Sequence, residues 1–248
     1  MDVYIVKDER EISKSAYELM LTIINEKDAV VLGLATGSSP EGIYEMFREN
    51  KPDVSHVTTV NLDEYIGLPA KHSQSYAYFM KNHLFNHLNF KKTYLPNGMV
   101  ADYAAECARY DQILADNIPD LQLLGIGENG HIAFNEPGSA FDLATHISEL
   151  KQETITVNKR FFESESDVPP KAITMGIKTI MKAKRILLIA SGTPKAEAIK
   201  KMLEGDVSNE FPASILQTHS DVTVIIDQEA ASLLTLDDKD ACCGNDCN

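Results

Sequence analysis

The chain has 248 residues, 44% hydrophobic and 24% charged, values that fit a folded globular protein and exclude disorder over most of its length. Its 23 basic and 37 acidic side chains leave a net charge of -14, a surface that repels nucleic acid and anionic membranes but not an anion drawn into a locally basic pocket. No apolar run reaches the roughly 18 to 20 residues of a membrane span, and the N-terminal residues lack the apolar length and flanks of a signal peptide, so the reading is cytoplasmic.

In chain order, residues 3–6 read as a strand and 9–26 as a helix with Ile12, Ala16, Leu19, Ile23 and Ile24 on one face. Residues 29–35 form an apolar run of strand length, ended by Thr36-Gly37-Ser38-Ser39-Pro40. A helix follows to about Arg48, with Pro40 suited to its first turn. Residues 57–62 are the next strand and 75–88 the next helix; 101–117 is helical, and 121–126 and 184–190 are strands. The second of these runs into Ser191-Gly192-Thr193-Pro194 and a helix over 195–203, and 222–226 is the last strand. The stretch 139–172 is less regular and reads as a flap.

Strands that are apolar throughout and separated by helices predict an α/β fold of one domain, a mainly parallel sheet with helices on both faces. Ligands of such sheets bind beyond the carboxyl ends of the strands, so the informative residues are those at strand ends. The domain is expected to span 1–236. An acidic tail over 237–248, which holds Cys242, Cys243 and Cys247, is read as frayed, with soft-metal binding as the alternative. Cysteines gathered there, apart from Cys107, do not make a secreted disulfide scaffold.

Four segments carry chemistry. In Thr36-Gly37-Ser38-Ser39-Pro40 the glycine permits positive φ, while hydroxyls and helix N-terminal N–H groups can cradle a phosphate. An ordinary serine-capped turn is the alternative. Ser191-Gly192-Thr193-Pro194-Lys195 repeats the device, with a lysine whose charge opposes the helix dipole unless an anion lies before it. In Val60-Asn61-Leu62-Asp63-Glu64-Tyr65 a strand ends at a carboxylate pair, placing Asp63 to act as a base if shielded from water; a surface acidic pair is the alternative. The fourth segment runs from Leu124 to Gly138, with three glycines within six positions, His131 suited to proton transfer, and Glu136 able to return to its ring. A lone histidine in such a turn is otherwise structural, and no second His or Cys lies at metal-ligand spacing beside it.

Together these segments resemble the glucosamine-6-phosphate deaminase family from about Ala29 to Ile226. The marks are Thr36-Gly37-Ser38-Ser39-Pro40, Asn61-Leu62-Asp63-Glu64-Tyr65-Ile66-Gly67-Leu68, Ser75-Tyr76, Arg160-Phe161-Phe162 and, most specific, Gly130 through Pro137 in Asn129-Gly130-His131-Ile132-Ala133-Phe134-Asn135-Glu136-Pro137. The resemblance implies a Rossmann-like fold and a catalytic set of Asp63, Asn129, His131 and Glu136. His131 would open the sugar ring, tuned by Glu136 and Asn129, and Asp63 would move the C2 proton to C1. The phosphate would lie among Thr36, Gly37, Ser38, Ser39, Arg160 and Lys195, with neither metal nor cofactor. Some members carry aspartate where this chain has Asn129, which predicts a different pH profile and more of the role on Glu136.

Two rivals share the fold. One is a 6-phosphogluconolactonase-type hydrolase, against which Phe134-Asn135-Glu136-Pro137 argues. The other is a non-catalytic sugar-phosphate sensor, for whose usual DNA-binding segment the strand at Val3 leaves no room. Allosteric members of the family are hexamers activated by N-acetylglucosamine 6-phosphate through a C-terminal segment. Only 22 residues follow Ile226, and the acidic end offers one cation, Lys239. The expectation is an unregulated monomer, with a homo-oligomer as the alternative.

Overall fold

The computed structural model describes residues 1–235. The expected tail from 237, with its three cysteines and the domain boundary before it, lies outside the described residues. No helix among them is long and apolar enough to cross a membrane.

Seven strands form an entirely parallel sheet: β1 (Asp2–Val6), β2 (Val30–Leu34), β3 (Val57–Asn61), β5 (Lys92–Tyr94), β6 (Leu121–Leu124), β9 (Ile186–Ala190) and β10 (Val222–Asp227). Their order across the sheet is β1-β10-β9-β6-β2-β3-β5. The central strands are buried on both faces, as their unbroken apolar runs require. Helix α1 (Glu9–Asn25) starts where Asp8 Oδ1 accepts from Glu11 N at 3.1 Å, and it buries Ile12, Ala16, Met20, Ile23 and Ile24. Leu19, expected on that face, is partly buried and packs at its margin.

A second sheet, antiparallel and in the order β4-β8-β7, joins β4 (Asp63–Tyr65), β7 (His146–Glu149) and β8 (Lys171–Thr174). Its strands have three or four residues, too short for alternation to register in the sequence. Part of the irregular 139–172 stretch is therefore ordered as β7, α5 (Gln152–Asn158) and the start of β8.

The helix expected over 75–88 is different in kind. Ser75 Oγ accepts from Tyr78 N at 3.1 Å, α3 covers Tyr76–Met80, and a π turn continues over Lys81–Phe85. Arg48, at the end of α2 (Glu41–Asn50), donates to the His83 carbonyl at 2.6 Å and ties that turn down. A π turn adds a residue without an apolar period of its own, so the sequence pattern does not show it. The expected strand over 121–126 stops at Leu124, and Gly125 begins the loop that matters most below. The remaining α-helices among the described residues are α4 (Tyr103–Asp116), the single turn α6 (Ile177–Ile180) and α7 (Ala196–Glu204).

Candidate active site

From β2 the chain steps outward through β3 to β5, then returns across β2 to β6 and continues to β9 and β10. The direction reverses between β2 and β6, and such a switch point opens a crevice at the carboxyl ends of the strands. A cavity of ≈ 580 Å³ occupies that place. It is lined by Thr36, Gly37, Ser38 and Ser39 after β2, Asp63 after β3, Asn129 and His131 after β6, Lys195 after β9, and Arg160 from the stretch following α5. Every residue of the catalytic and phosphate-binding sets implied by the resemblance reaches this wall except Glu136, which is buried behind it.

The two serine-bearing loops part company here. Gly37 has φ 88°, a conformation costly for side chains with a Cβ, and an added methyl there would meet nothing within 4 Å. The glycine is needed for backbone shape, not for room. The N–H groups of Gly37, Ser38 and Ser39 have no acceptor among the described residues, and α2 begins just beyond them without a side-chain cap. That leaves a set of donors at a helix N-terminus facing the cavity. In the second loop the donors are spent. Gly192 N donates to both Asp227 carboxylate oxygens at 3.1 and 3.0 Å, Ser191 Oγ bonds Asp227 Oδ2, and Thr193 N donates to Glu229 at 3.4 Å. The expectation of a second phosphate-cradling loop is therefore corrected: only Lys195 of that segment reaches the cavity.

Lys195 is half-buried, and its Nζ donates to the Ile126 carbonyl at 2.9 Å, aiming it at the same space. Burial lowers its pKa, opposed by Glu128 and helped by Arg160. An anion in the cavity would favour its charged form. Arg160 is exposed; its Nη2 lies 3.4 Å from Ser38 Oγ and its guanidinium stands 4.7 Å over the Phe161 ring, so a planar cation leans over the free N–H loop.

His131 sits in a turn built to hold it. Its ring lies against Gly127, where an added Cβ would come within 2.3 Å of the imidazole. Its Nδ1 is 2.7 Å from Asn129 Oδ1, and Asn129 Nδ2 donates to Glu136 Oε2 at 2.9 Å. Because the amide nitrogen faces the carboxylate, the amide oxygen must accept, so His131 carries its proton on Nδ1 and leaves the Nε2 lone pair free. Glu136 Oε2 is 3.8 Å from the ring, too far for a direct hydrogen bond. The carboxylate thus reaches the imidazole through Asn129, not directly as the five-residue spacing suggests. Burial lowers the His131 pKa, Glu136 pulls it up, and Lys195 pushes it down further.

Asp63 is the first residue of β4 and is 6% exposed. Burial and the adjacent Glu64 carboxylate hold its pKa well above the usual carboxylate range. Glu64 turns the other way. Its two oxygens accept from the backbone N–H groups of Tyr65, Tyr76 and Ala77 at 2.9, 2.9 and 2.8 Å, which anchors the start of α3. The acidic pair therefore divides its work: one carboxylate faces the cavity, the other holds structure.

Sequence reasoning from the residues alone missed the cavity floor. Tyr65, Tyr76 and Phe134 pack together, with Tyr65 and Tyr76 centroids 4.9 Å apart and Tyr76 and Phe134 stacked at 6.0 Å. Asn158 Nδ2 donates to the Tyr65 hydroxyl at 2.9 Å. His83, stacked on Phe79 at 4.2 Å, adds a second imidazole to the wall. The signal for the floor lay in aromatic residues beside each polar motif, which no period distinguishes from ordinary core.

The family described as glucosamine-6-phosphate isomerases/6-phosphogluconolactonase matches residues 8–225. A glucosamine-6-phosphate deaminase of Bacillus cytotoxicus is 57% identical over 94% of this chain and 89% of its own length, and one of Bacillus cereus is 56% identical over the same shares. Among solved structures, a monomeric glucosamine-6-phosphate deaminase superposes with a TM-score of 0.92 at 47% identity, covering 94% of this chain and 100% of that one. A 6-phosphogluconolactonase from Leishmania guyanensis has a TM-score of 0.77 at 20% identity over 95% and 99% of the two chains, which speaks for the fold alone. On a match that spans most of its length and relatives more than half identical to it, this chain belongs to the glucosamine-6-phosphate isomerase/6-phosphogluconolactonase family.

Proposed function

We propose that the cavity converts glucosamine 6-phosphate and water into fructose 6-phosphate and ammonia, in amino-sugar catabolism. Relatives at 56–57% identity are named for this activity. The observation that carries the reading is one cavity holding a carboxylate of raised pKa, a neutral imidazole with a free Nε2, and a wall of free N–H groups with two cations. His131 takes the proton of the anomeric hydroxyl and delivers one to the ring oxygen, opening the pyranose. Asn129 fixes its tautomer, and Glu136 holds Asn129. Asp63 then removes the C2 proton next to the new aldehyde and returns a proton to C1. The enolamine becomes a C2 ketimine, to which water adds and from which ammonia leaves. These are proton transfers and a hydrolysis, with no change of redox state, so the residues suffice without a cofactor.

The phosphate rests on the Thr36, Gly37, Ser38 and Ser39 loop between Arg160 and Lys195, which fixes C1 and C2 near Asp63. Lys195→Ala and Arg160→Ala each weaken binding by about 1.5 to 3 kcal/mol, roughly 10- to 150-fold in KM, with the half-buried lysine at the upper end and the exposed arginine at the lower. Inhibition by inorganic phosphate weakens in parallel. An unchanged KM in both variants would move the phosphate elsewhere.

The deciding assay is ammonia and fructose 6-phosphate release from glucosamine 6-phosphate, beside hydrolysis of 6-phosphogluconolactone. Lactone hydrolysis without ammonia would favour the lactonase alternative, and binding without turnover the sensor. We further propose that the enzyme acts as a monomer with hyperbolic kinetics, supported by the monomeric deaminase it superposes on. Light scattering at 27.5 kDa would agree, and a hexamer with sigmoidal kinetics would overturn it. Phosphorylated sugars do not cross membranes unaided, which supports the cytoplasm as its place of action.

A further inference from the structure

Asp63 and His131 come from different strand ends, and no hydrogen bond joins Asp63 to the loop of His131 among the described residues. Both are instead tied to the end of β8. On one side Thr174 pairs with Asp63 across the small sheet, and Met175 N donates to the Leu62 carbonyl at 2.7 Å. On the other, Thr174 Oγ1 accepts from Phe134 N at 3.1 Å, and the Met175 carbonyl accepts from Asn135 Nδ2 at 2.9 Å. Asn135 Nδ2 also donates to the Ile132 carbonyl at 2.9 Å, closing the turn that carries His131 at one end and Glu136 at the other. That turn holds Ala133 at φ 51°, a left-handed conformation that needs support from its surroundings. Thr174 and Asn135 are both fully buried, so water does not compete for these bonds.

We infer that Thr174 is a positioning residue whose hydroxyl sets the spacing between the base at Asp63 and the imidazole at His131. Its backbone holds the strand of Asp63, and its side chain holds the turn of His131. A shift of about 1 Å between two groups that act on adjacent atoms of one substrate costs on the order of 100-fold in rate. Substrate affinity is set by the phosphate loop and Lys195, which make no hydrogen bond to Thr174 among the described residues, and is left alone. The inference rests on the catalytic roles proposed above for Asp63 and His131.

The test compares Thr174→Val, which keeps the shape and loses the acceptor, with Thr174→Ser, which keeps the acceptor and loses the methyl. In the valine variant kcat falls about 10- to 100-fold while KM for glucosamine 6-phosphate stays within about 3-fold. The isotope effect with C2-deuterated substrate rises, because proton transfer becomes the slow step. The serine variant stays within about 3-fold of the parent in both constants. If valine does not give a folded protein by circular dichroism, Thr174→Ala replaces it in the comparison. The inference is overturned if the hydroxyl-free variant is folded and fully active, if serine is impaired as much as valine, or if neither hydroxyl-free variant folds while serine does, since the role is then structural. Asp63→Asn run alongside separates the two levels. Normal C2 exchange in that variant removes the catalytic assignment itself, whereas an inactive Asp63→Asn beside a fully active Thr174→Val removes only the positioning role.

Discussion

Asp63→Asn is expected to lower turnover by about 100-fold or more while substrate affinity stays within a few-fold. Asparagine has the shape of the carboxylate but cannot take the C2 proton, and the phosphate contacts that set affinity lie elsewhere in the cavity. Solvent-deuterium exchange at C2 should vanish with turnover, and exchange at the parent rate would take Asp63 out of the role. The pH dependence has a definite sign. The base must be ionised, and burial followed by the Glu64 charge raises its pKa, so parent activity is lost as pH falls through a value above the ordinary carboxylate range. The same shift acts on stability. The folded state holds this proton more tightly than the unfolded chain, so stability falls as pH rises from the unfolded pKa toward the folded one, and at neutral pH the buried charge is a net cost. Asp63→Asn should therefore raise Tm at pH 7 while abolishing turnover, and the gain should shrink in acid. A variant that is both inactive and less stable at neutral pH would contradict this account of the site.

His131→Gln is expected to reduce kcat/KM by about 100-fold, in a way that identifies the step. Glutamine keeps polarity but cannot shuttle a proton between the anomeric hydroxyl and the ring oxygen. Asp63 remains, so whatever aldehyde forms by spontaneous ring opening is still turned over. The rate should then cease to rise with enzyme concentration once spontaneous opening limits supply, whereas the parent rate stays proportional to enzyme throughout. A variant that is slow but proportional to enzyme would place His131 in the C2 proton transfer or in binding instead. Burial and Lys195 lower the imidazole pKa against the pull of Glu136, so the neutral form that takes the proton persists below the usual histidine range. The acid limb of the parent is accordingly expected to report Asp63, and it should be absent from the residual activity of Asp63→Asn.

The parallel sheet was legible because each long strand is an unbroken apolar run, and burial on both faces is what such a run means. The strand-end residues Thr36 to Ser39, Asp63 and His131 followed from that, since strands of one direction deliver their carboxyl ends to one side. The short strands β4, β7 and β8 were not legible, because three or four residues carry no period. Three matters needed the tertiary structure, two because a partner from another element occupies a loop's groups and one because spacing does not give the path of a turn. Ser191-Gly192-Thr193 looks like the first phosphate loop until Asp227 and Glu229, from β10 and just beyond, are seen to occupy its donors. Glu136 has the spacing to reach His131, but the turn places Asn129 between them. Asp63 and Glu64 are neighbours of one chemistry in the sequence, and only the approach of α3 makes one a helix anchor and leaves the other a buried base. Local sequence specifies which groups a loop carries; which of them stay free to act depends on what the fold brings against them.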